Sequence, residues 1–423
     1  MEIVAFWFRR DLRLEDNTAL SHALKTGKKV LPVFIFDDQI LEGLPPDDAR
    51  VTFIYDTLCA MNVELRRFQS QICVRMGNPV LVWQQLLDEF EISAIYINED
   101  YEPYATARDQ AVSQLAESKG VPLLRFKDQV VFSPTEIVKA DGLPYTIYTP
   151  YKNKWLAKYE ETKTPELLEI DQTAFLQKTH DWPSLKAIGF VSSQISVRPY
   201  DLSSLSDYST LRDLPAEDAT SYLSVHLRFG TVSVRQVIKQ LQGSDQVFLS
   251  ELIWREFFMQ ILYHFPEVVG RNFKSKYDGI QWRNNHDDFD KWKRGETGYP
   301  LVDAGMKQLN QTGYMHNRVR MVVASFLCKH LLIDWRWGEA YFAEKLLDYE
   351  LASNNGNWQW SAGTGCDASP YFRIFNPTAQ LKKFDPKMQY VKKWVMECSS
   401  PIVDHAVARD RALRVYKEGL RAN

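Results

Sequence analysis

At 423 residues and 49.2 kDa the chain is longer than one ordinary core accommodates, and two or three domains are expected. Hydrophobic residues at 45% and charged residues at 25% describe an ordinary soluble globular protein, and no apolar run is long enough to cross a bilayer. The net charge of −3 gives by itself no hint of nucleic acid.

In chain order, the first 125 or so residues alternate apolar β-runs with helical patterns. IVAFWF (3–8), VLPVFIF (30–36), ICVRMG (72–77), AIYINE (94–99) and PLLRF (122–126) read as strands buried on both faces. Amphipathic stretches at 50–68 and 80–90 lie between them, so the N-terminal domain is predicted to be α/β, a doubly wound parallel sheet over 1–126. No GxGxxG follows the first strand, so a dinucleotide in the usual Rossmann mode is not supported there. Residues 127–214 are irregular, with Pro134, Pro144, Pro150, Pro165, Pro183 and Pro199 and two Ser clusters, and read as an interdomain connection. From 215 to 423 helical patterns dominate, and an all-α domain is expected.

The N-terminus opens directly on a strand pattern without a signal-peptide layout. The five cysteines (Cys59, Cys73, Cys328, Cys366, Cys398) show no CxxC or Cys/His ligand spacing. This argues for a reducing compartment, taken as the cytoplasm, and against a structural metal. From His316 onward there are 16 Lys and Arg against 11 Asp and Glu, so a basic C-terminal part sits on an acidic protein. That permits a phosphate-binding face, although a merely solvated surface explains the charge equally well. Seven of the twelve tryptophans fall between Trp254 and Trp360. A large aromatic core is the simplest account of any one of them.

Chemistry concentrates in three places. Glu251, Trp254 and Arg255 share one face of a predicted helix, as do Asn317, Arg320 and Met321 on another. A face mixing Asn, Arg and Met is poor core and poor surface, which suggests a cavity wall. On an isolated helix the first face would read first as a Glu–Arg surface pair beside a core Trp. The third place is DYELASNNGNWQWSAGTGCDASPYFRIFNP (348–377), too rich in Asn and Gly for a plain amphipathic helix and too aromatic for a solvated loop.

That segment closely resembles the flavin-contacting region of the photolyase/cryptochrome family. WFRRDLRLEDN (7–17), ELIWREF (251–257) and TGYPLVDAGMKQLNQTGYMHNRVRM (297–321) resemble further motifs of the family, in order and with its spacing. The resemblance spans essentially the whole chain and is closest to cyclobutane pyrimidine dimer photolyases. It implies one FAD held by Tyr208, Thr220, Ser221, Leu223, Ser224, Glu251, Arg255, Asn317, Arg320, Asp348, Glu350 and Asn354, with Asn354 facing the flavin N5. Tyr222 stands where such photolyases often carry Arg, and Glu350 where the family usually has Asp. Glu251, Trp254, Asn317, Met321 and Asn354 would act at the reacting centre. Trp358, Trp335 and Trp282 would form an electron chain from flavin to surface, with Trp337 and Trp360 left to packing.

The implied function is light-driven splitting of cyclobutane dimers in ultraviolet-damaged DNA by a monomeric enzyme, with Arg318, Arg373 and Lys383 on phosphates. A cryptochrome-type photoreceptor and a (6-4) photolyase are the alternatives. Retention of both Trp254 and Met321 weighs against the first, and Asn317 in place of a second histidine against the other. The family often holds a second, antenna chromophore, here of unknown identity. Tyr104 and Ala105 replace the Asn-Glu pair that anchors folate, so a flavin-type antenna or none is expected.

Overall fold

The computed structural model describes residues 2–162, 168, 171–397 and 399–421; Cys398 and Pro165 lie outside the described residues. The chain folds as two compact units.

The first unit comprises residues 1–141, 153–199 and 223–242. Its sheet holds β1 (Ile3–Phe8), β2 (Lys29–Asp37), β3 (Cys73–Gly77), β4 (Ile92–Asn98) and β5 (Leu123–Phe126). All pairings are parallel and the spatial order is β3-β2-β1-β4-β5. The chain therefore winds outward from β1 twice, once on each side, which is the doubly wound arrangement. Burial on both faces holds for β1 and nearly all of β2 and β4. It fails for the edge strands: β3 exposes Met76, and β5 exposes Leu124 and Arg125, because an edge has a neighbour on one side only. The crossovers include α1 (Thr18–Leu24), α2 (Ala49–Arg66), α3 (Pro79–Glu89) and α4 (Pro103–Ser118). Asn78 caps α3 by accepting from the Val80 and Leu81 amides, and Pro79 occupies the first turn, where no amide is needed.

The three-part division at 126 and 214 differs from these units. Much of 127–214 packs with the sheet, through the bridge Val30 to Phe175 and the bond from the Val191 amide to Pro46. Residues 223–242 also belong to the α/β unit, for an electrostatic reason. Arg235 donates to Asp16 and Asp128, and Arg13 donates to Asp128 and to the Gly230 carbonyl. Burial alone would raise the Asp128 carboxyl, but the two guanidiniums hold it well below the usual carboxylate range.

The second unit comprises residues 142–152, 200–222 and 243–423 and is helical. It contains α5 (Gln246–His264), α6 (His286–Arg294), α7 (Pro300–Thr312), α8 (Asn317–Ser325), α9 (Trp335–Lys345), α10 (Leu351–Ala362), α11 (Pro377–Phe384), α12 (Gln389–Trp394) and α13 (His405–Gly419). α10 is central: α5, α8 and α9 all pack on it. Two glycines permit the close approach. A Cβ on Gly356 of α10 would stand 2.2 Å from Phe258 of α5, and one on Gly338 of α9 would stand 2.1 Å from the Trp358 ring.

Candidate flavin and DNA site

The 348–377 segment begins as α10 and continues as a loop, so its Asn-rich first half is helical despite its composition. Tertiary packing overrides the weak propensity, with Asn355 and Gln359 donating to the Val268 carbonyl. Asn354 is nearly buried. Its amide donates to the Glu339 backbone and carboxyl oxygens at 3.1 and 2.8 Å. Burial raises the Glu339 carboxyl, and the Asn354 bond opposes that only in part. The Asn354 side-chain oxygen accepts no hydrogen bond among the described residues.

Two charged pairs are anchored just before the start of α10, on Asp348 and Glu350. Arg320 donates to both oxygens of Asp348, at 3.1 and 2.9 Å, and its Nε holds the Met315 carbonyl. Arg255 stands 3.7 Å from the Glu350 carboxylate. Glu251 therefore does not pair with Arg255 along the helix; its partner is Arg212, at 2.6 Å. Arg212 also lies over the Tyr208 ring. Burial, followed by the Glu251 charge, pushes the Tyr208 phenol up to about 12. Three arginines, each held by a carboxylate, and an amide oxygen without a partner among the described residues supply guanidinium donors for phosphates and acceptors for the N–H and hydroxyl groups of an amide-bearing dinucleotide.

Thr220 and Ser221 precede the helix Leu223–Phe229, with Ser224 exposed in its first turn. The residue between them, Tyr222, adopts a left-handed backbone (φ 52°), unusual for a residue with a side chain. Its hydroxyl bonds Asp218 and its ring meets Tyr314 edge-on.

On α5, Trp254 stacks on Tyr148, with centroids 3.6 Å apart and planes 9° from parallel. The Tyr148 hydroxyl donates to the Ser250 carbonyl at 2.7 Å, which fixes the ring beneath the indole. Tyr148 comes from the stretch read as an irregular connection, and Arg212 and Asp213 come from its far end. Sequence reasoning missed all three. The only available signal was the unusual tyrosine density of PYTIYTPYKN (144–153).

Arg318 donates to Asp213 at 2.7 Å, touches the Met321 sulfur and lies over the Phe384 ring. Lys383 lies over the same ring, so these two predicted phosphate contacts meet at Phe384. Arg373 is exposed and makes no ion pair among the described residues. Asn317 is exposed at the start of α8. Its neighbour His316 caps α8 through Nδ1 while Nε2 finds no partner among the described residues, and burial pushes the imidazole down to about 4.

Trp358 and Trp335 belong to one buried cluster, and Trp282 packs against its edge. Trp335 donates to Asn272 at 2.9 Å. Trp292, not singled out in sequence, is fully buried and lies 6.2 Å from Trp358. Trp337 packs against His286 and Phe289. No group of three or more potential metal ligands occurs among the described residues, and none of their helices is long and apolar enough to cross a membrane.

A doubly wound α/β unit and a helical unit with arginines placed for a dinucleotide and an indole-rich core define the class: a two-unit protein with a candidate dinucleotide site in its helical part. The comparisons with known proteins are specific. Residues 4–169 match the DNA photolyase family and residues 248–401 match the FAD binding domain of DNA photolyase, so the chain belongs to this family. A deoxyribodipyrimidine photo-lyase of Halobacterium salinarum is 36% identical over 97% of the chain and 98% of its own length. The crystal structure of a class III photolyase from Agrobacterium tumefaciens is similar at a TM-score of 0.88 and 33% identity, covering 100% of this chain and 98% of that one. An archaeal photolyase from Sulfolobus tokodaii, solved with two FAD molecules, is similar at 0.87 and 35%, covering 99% and 100%.

Proposed function

We propose that this chain repairs ultraviolet-damaged DNA by splitting cyclobutane pyrimidine dimers with light, using FAD held in its helical unit. The observation that carries the reading is the grouping of Trp254, Glu251, Arg318 and Met321 with the Arg320–Asp348 and Arg255–Glu350 pairs in one unit of a photolyase-family chain. When bound, reduced and photoexcited FAD supplies an electron to the dimer and recovers it once the rings have separated.

The protein's part is to hold, orient and exclude water. Arg255 and Arg320, with Tyr208, Thr220, Ser221 and Asp348, bind the cofactor, and Asn354 offers its amide to the flavin N5. Glu350 carries one methylene more than the Asp usual in the family, and it reaches Arg255 as an ion-pair partner. Trp254, flattened onto Tyr148, presents its outer face to the dimer, which must leave the duplex stack to reach it. Glu251 accepts hydrogen bonds from the dimer bases after exchanging Arg212 for them. Asn317 and Met321 border the same place. Arg318, Arg373 and Lys383 take backbone phosphates. Trp358, Trp335 and Trp282 replace electrons lost by the cofactor, acting outward in that order.

The Tyr104 hydroxyl donates to Asp37 at 2.5 Å and Ala105 is buried, so neither offers a carboxylate to a pterin. A flavin-type antenna, or none, remains the reading of this chain's α/β unit.

The test is repair of an oligonucleotide carrying one cyclobutane dimer, under blue light, by prereduced protein. Restoration of the undamaged strand is expected, with none for a (6-4) lesion. Trp358→Phe should slow photoreduction strongly and leave repair by prereduced enzyme intact. Preferential repair of the (6-4) lesion, or light-induced absorption changes without repair of either, would instead favour one of the two alternatives.

A further inference from the structure

The six residues Phe326–Leu331 continue α8 as a π-helix, a wide turn that is rare and frequently found where function needs it. The wide turn places Lys329 in the interior, 1% exposed. Its Nζ donates to the carbonyl oxygens of Ala362 at 2.8 Å and Tyr371 at 3.3 Å, and lies 3.7 Å from the centre of the Tyr416 ring. No carboxylate pairs with it among the described residues. Its compensation is the C-terminal end of α10, whose last residue is Ala362, and the face of one aromatic ring. A buried ammonium without a counter-ion is costly, and methionine would fill the same space.

Tyr416 is fully buried, and its hydroxyl donates to the same Ala362 carbonyl at 2.8 Å. Its ring meets Trp282 edge-on at 5.9 Å and stacks on Tyr371 at 5.9 Å. The other groups facing this cluster are Cys328, whose thiol burial pushes well up, Tyr277 from the neighbouring turn and Asp334 at the start of α9. Arg411 of α13 points to the adjacent His330 carbonyl. A carbonyl oxygen is no base, so a phenol bonded to it has one amine nearby that can take its proton.

We propose that Lys329 gates the oxidation of Tyr416 by Trp282, its ammonium form confining the hole to Trp282 and its amine form letting the hole pass to Tyr416. The proposal rests on the reading of Trp282 as the outer member of the electron chain. In the permitted step an electron leaves Tyr416 for the oxidised Trp282 and restores the neutral indole. The phenolic O–H bond breaks and a new N–H bond forms on Lys329, leaving a neutral phenoxyl radical. In the ammonium form Lys329 cannot take the proton, and a positive charge faces the ring that would lose the electron. Burial pushes the Lys329 amine down to about 7, so both forms are populated near neutrality.

The test is time-resolved electron paramagnetic resonance on the FAD-loaded full chain under illumination. The tyrosyl share of the radical signal is expected to rise roughly tenfold from about pH 6 to about pH 9, as the amine population does. It should stay low at both values in Lys329→Arg, lose its pH dependence in Lys329→Met and vanish in Tyr416→Phe. A reading without light comes from lysine Cε resonances of the dark protein. The one missing in Lys329→Arg should titrate near neutrality and not at about 10.4, the ordinary lysine value. A tryptophan radical accompanied by a pH-independent tyrosyl share, or a Lys329→Arg profile equal to that of the unaltered protein, overturns the gate alone. Absence of any tryptophan radical in either protein overturns the electron-chain reading and the gate with it.

Discussion

The two units treat buried charge in opposite ways. In the α/β unit, Asp16, Asp128, Arg13 and Arg235 form a closed set: Asp128 pairs with both arginines, Arg235 with both carboxylates, and Arg13 also donates to the Asp16 carbonyl, while Arg9 and Asp109 pair beside it. In the helical unit, among the described residues, Lys329 has no anion and His316 keeps an unpartnered nitrogen, and Arg318 leans on a carboxylate that is 40% exposed. Closed sets specify architecture, because every member loses if one moves. Open sets cost stability and leave groups available to something else. The difference separates the charges that hold residues 223–242 to the sheet from those awaiting cofactor, DNA or proton.

The largest effect expected from this contrast lies in the closed set. Arg235→Met leaves Asp16 and Asp128 buried with one guanidinium fewer, and should cost about 3–5 kcal/mol in denaturant unfolding of the α/β unit. A loss under one kcal/mol would mean the network is as open as the helical one. Next comes the tight seat of Trp358. Gly338→Ala drives a methyl into the indole and should cost about 1–3 kcal/mol, read as a lowered unfolding midpoint of the helical unit. An unchanged midpoint would show that α9 yields freely.

Trp254→Ala should weaken binding of dimer-containing DNA by about 1–3 kcal/mol through loss of a stacking face, with undamaged DNA little affected. Equal weakening for both would remove Trp254 from recognition of the dimer. The smallest effect concerns Asp213, which occupies Arg318 as a phosphate would. Asp213→Asn should tighten binding to any DNA by up to about 1 kcal/mol, and the gain should disappear in an Arg318→Gln background. Weaker binding in the single variant would mean that Asp213 positions Arg318 and does not compete for it.

The fold was legible where burial is two-sided. IVAFWF and VLPVFIF can hardly be anything but inner strands, and their bounds are found within a residue or two. The edge strands were legible as strands but not as edges, because short apolar runs do not state how many neighbours they have. The attachment of 223–242 was invisible, since it depends on one arginine reaching residues more than a hundred positions away. The site divides in the same way. Asn354, Arg255 and Met321 announce themselves through odd residue types on helical faces. Tyr148, Arg212, Asp213 and Lys329 do not, because each acts through a contact that only tertiary structure creates. The helix spacing of Glu251 and Arg255 even suggested the wrong partner, since a half-buried carboxylate takes whichever cation the fold delivers.

One helix ties the separate parts together. α10 carries Asn354 near its start, Trp358 one turn later and the Ala362 carbonyl at its end, a span of about 12 Å at 1.5 Å per residue. It works as a ruler with three graduations, for the cofactor, the first indole and the lysine. Substitution can blur one mark, but a single inserted residue would rotate everything beyond it by about 100°. Point changes along this helix should therefore be survivable one property at a time. A one-residue insertion between Asn354 and Ala362 would instead sever cofactor, indole and lysine from one another at a stroke.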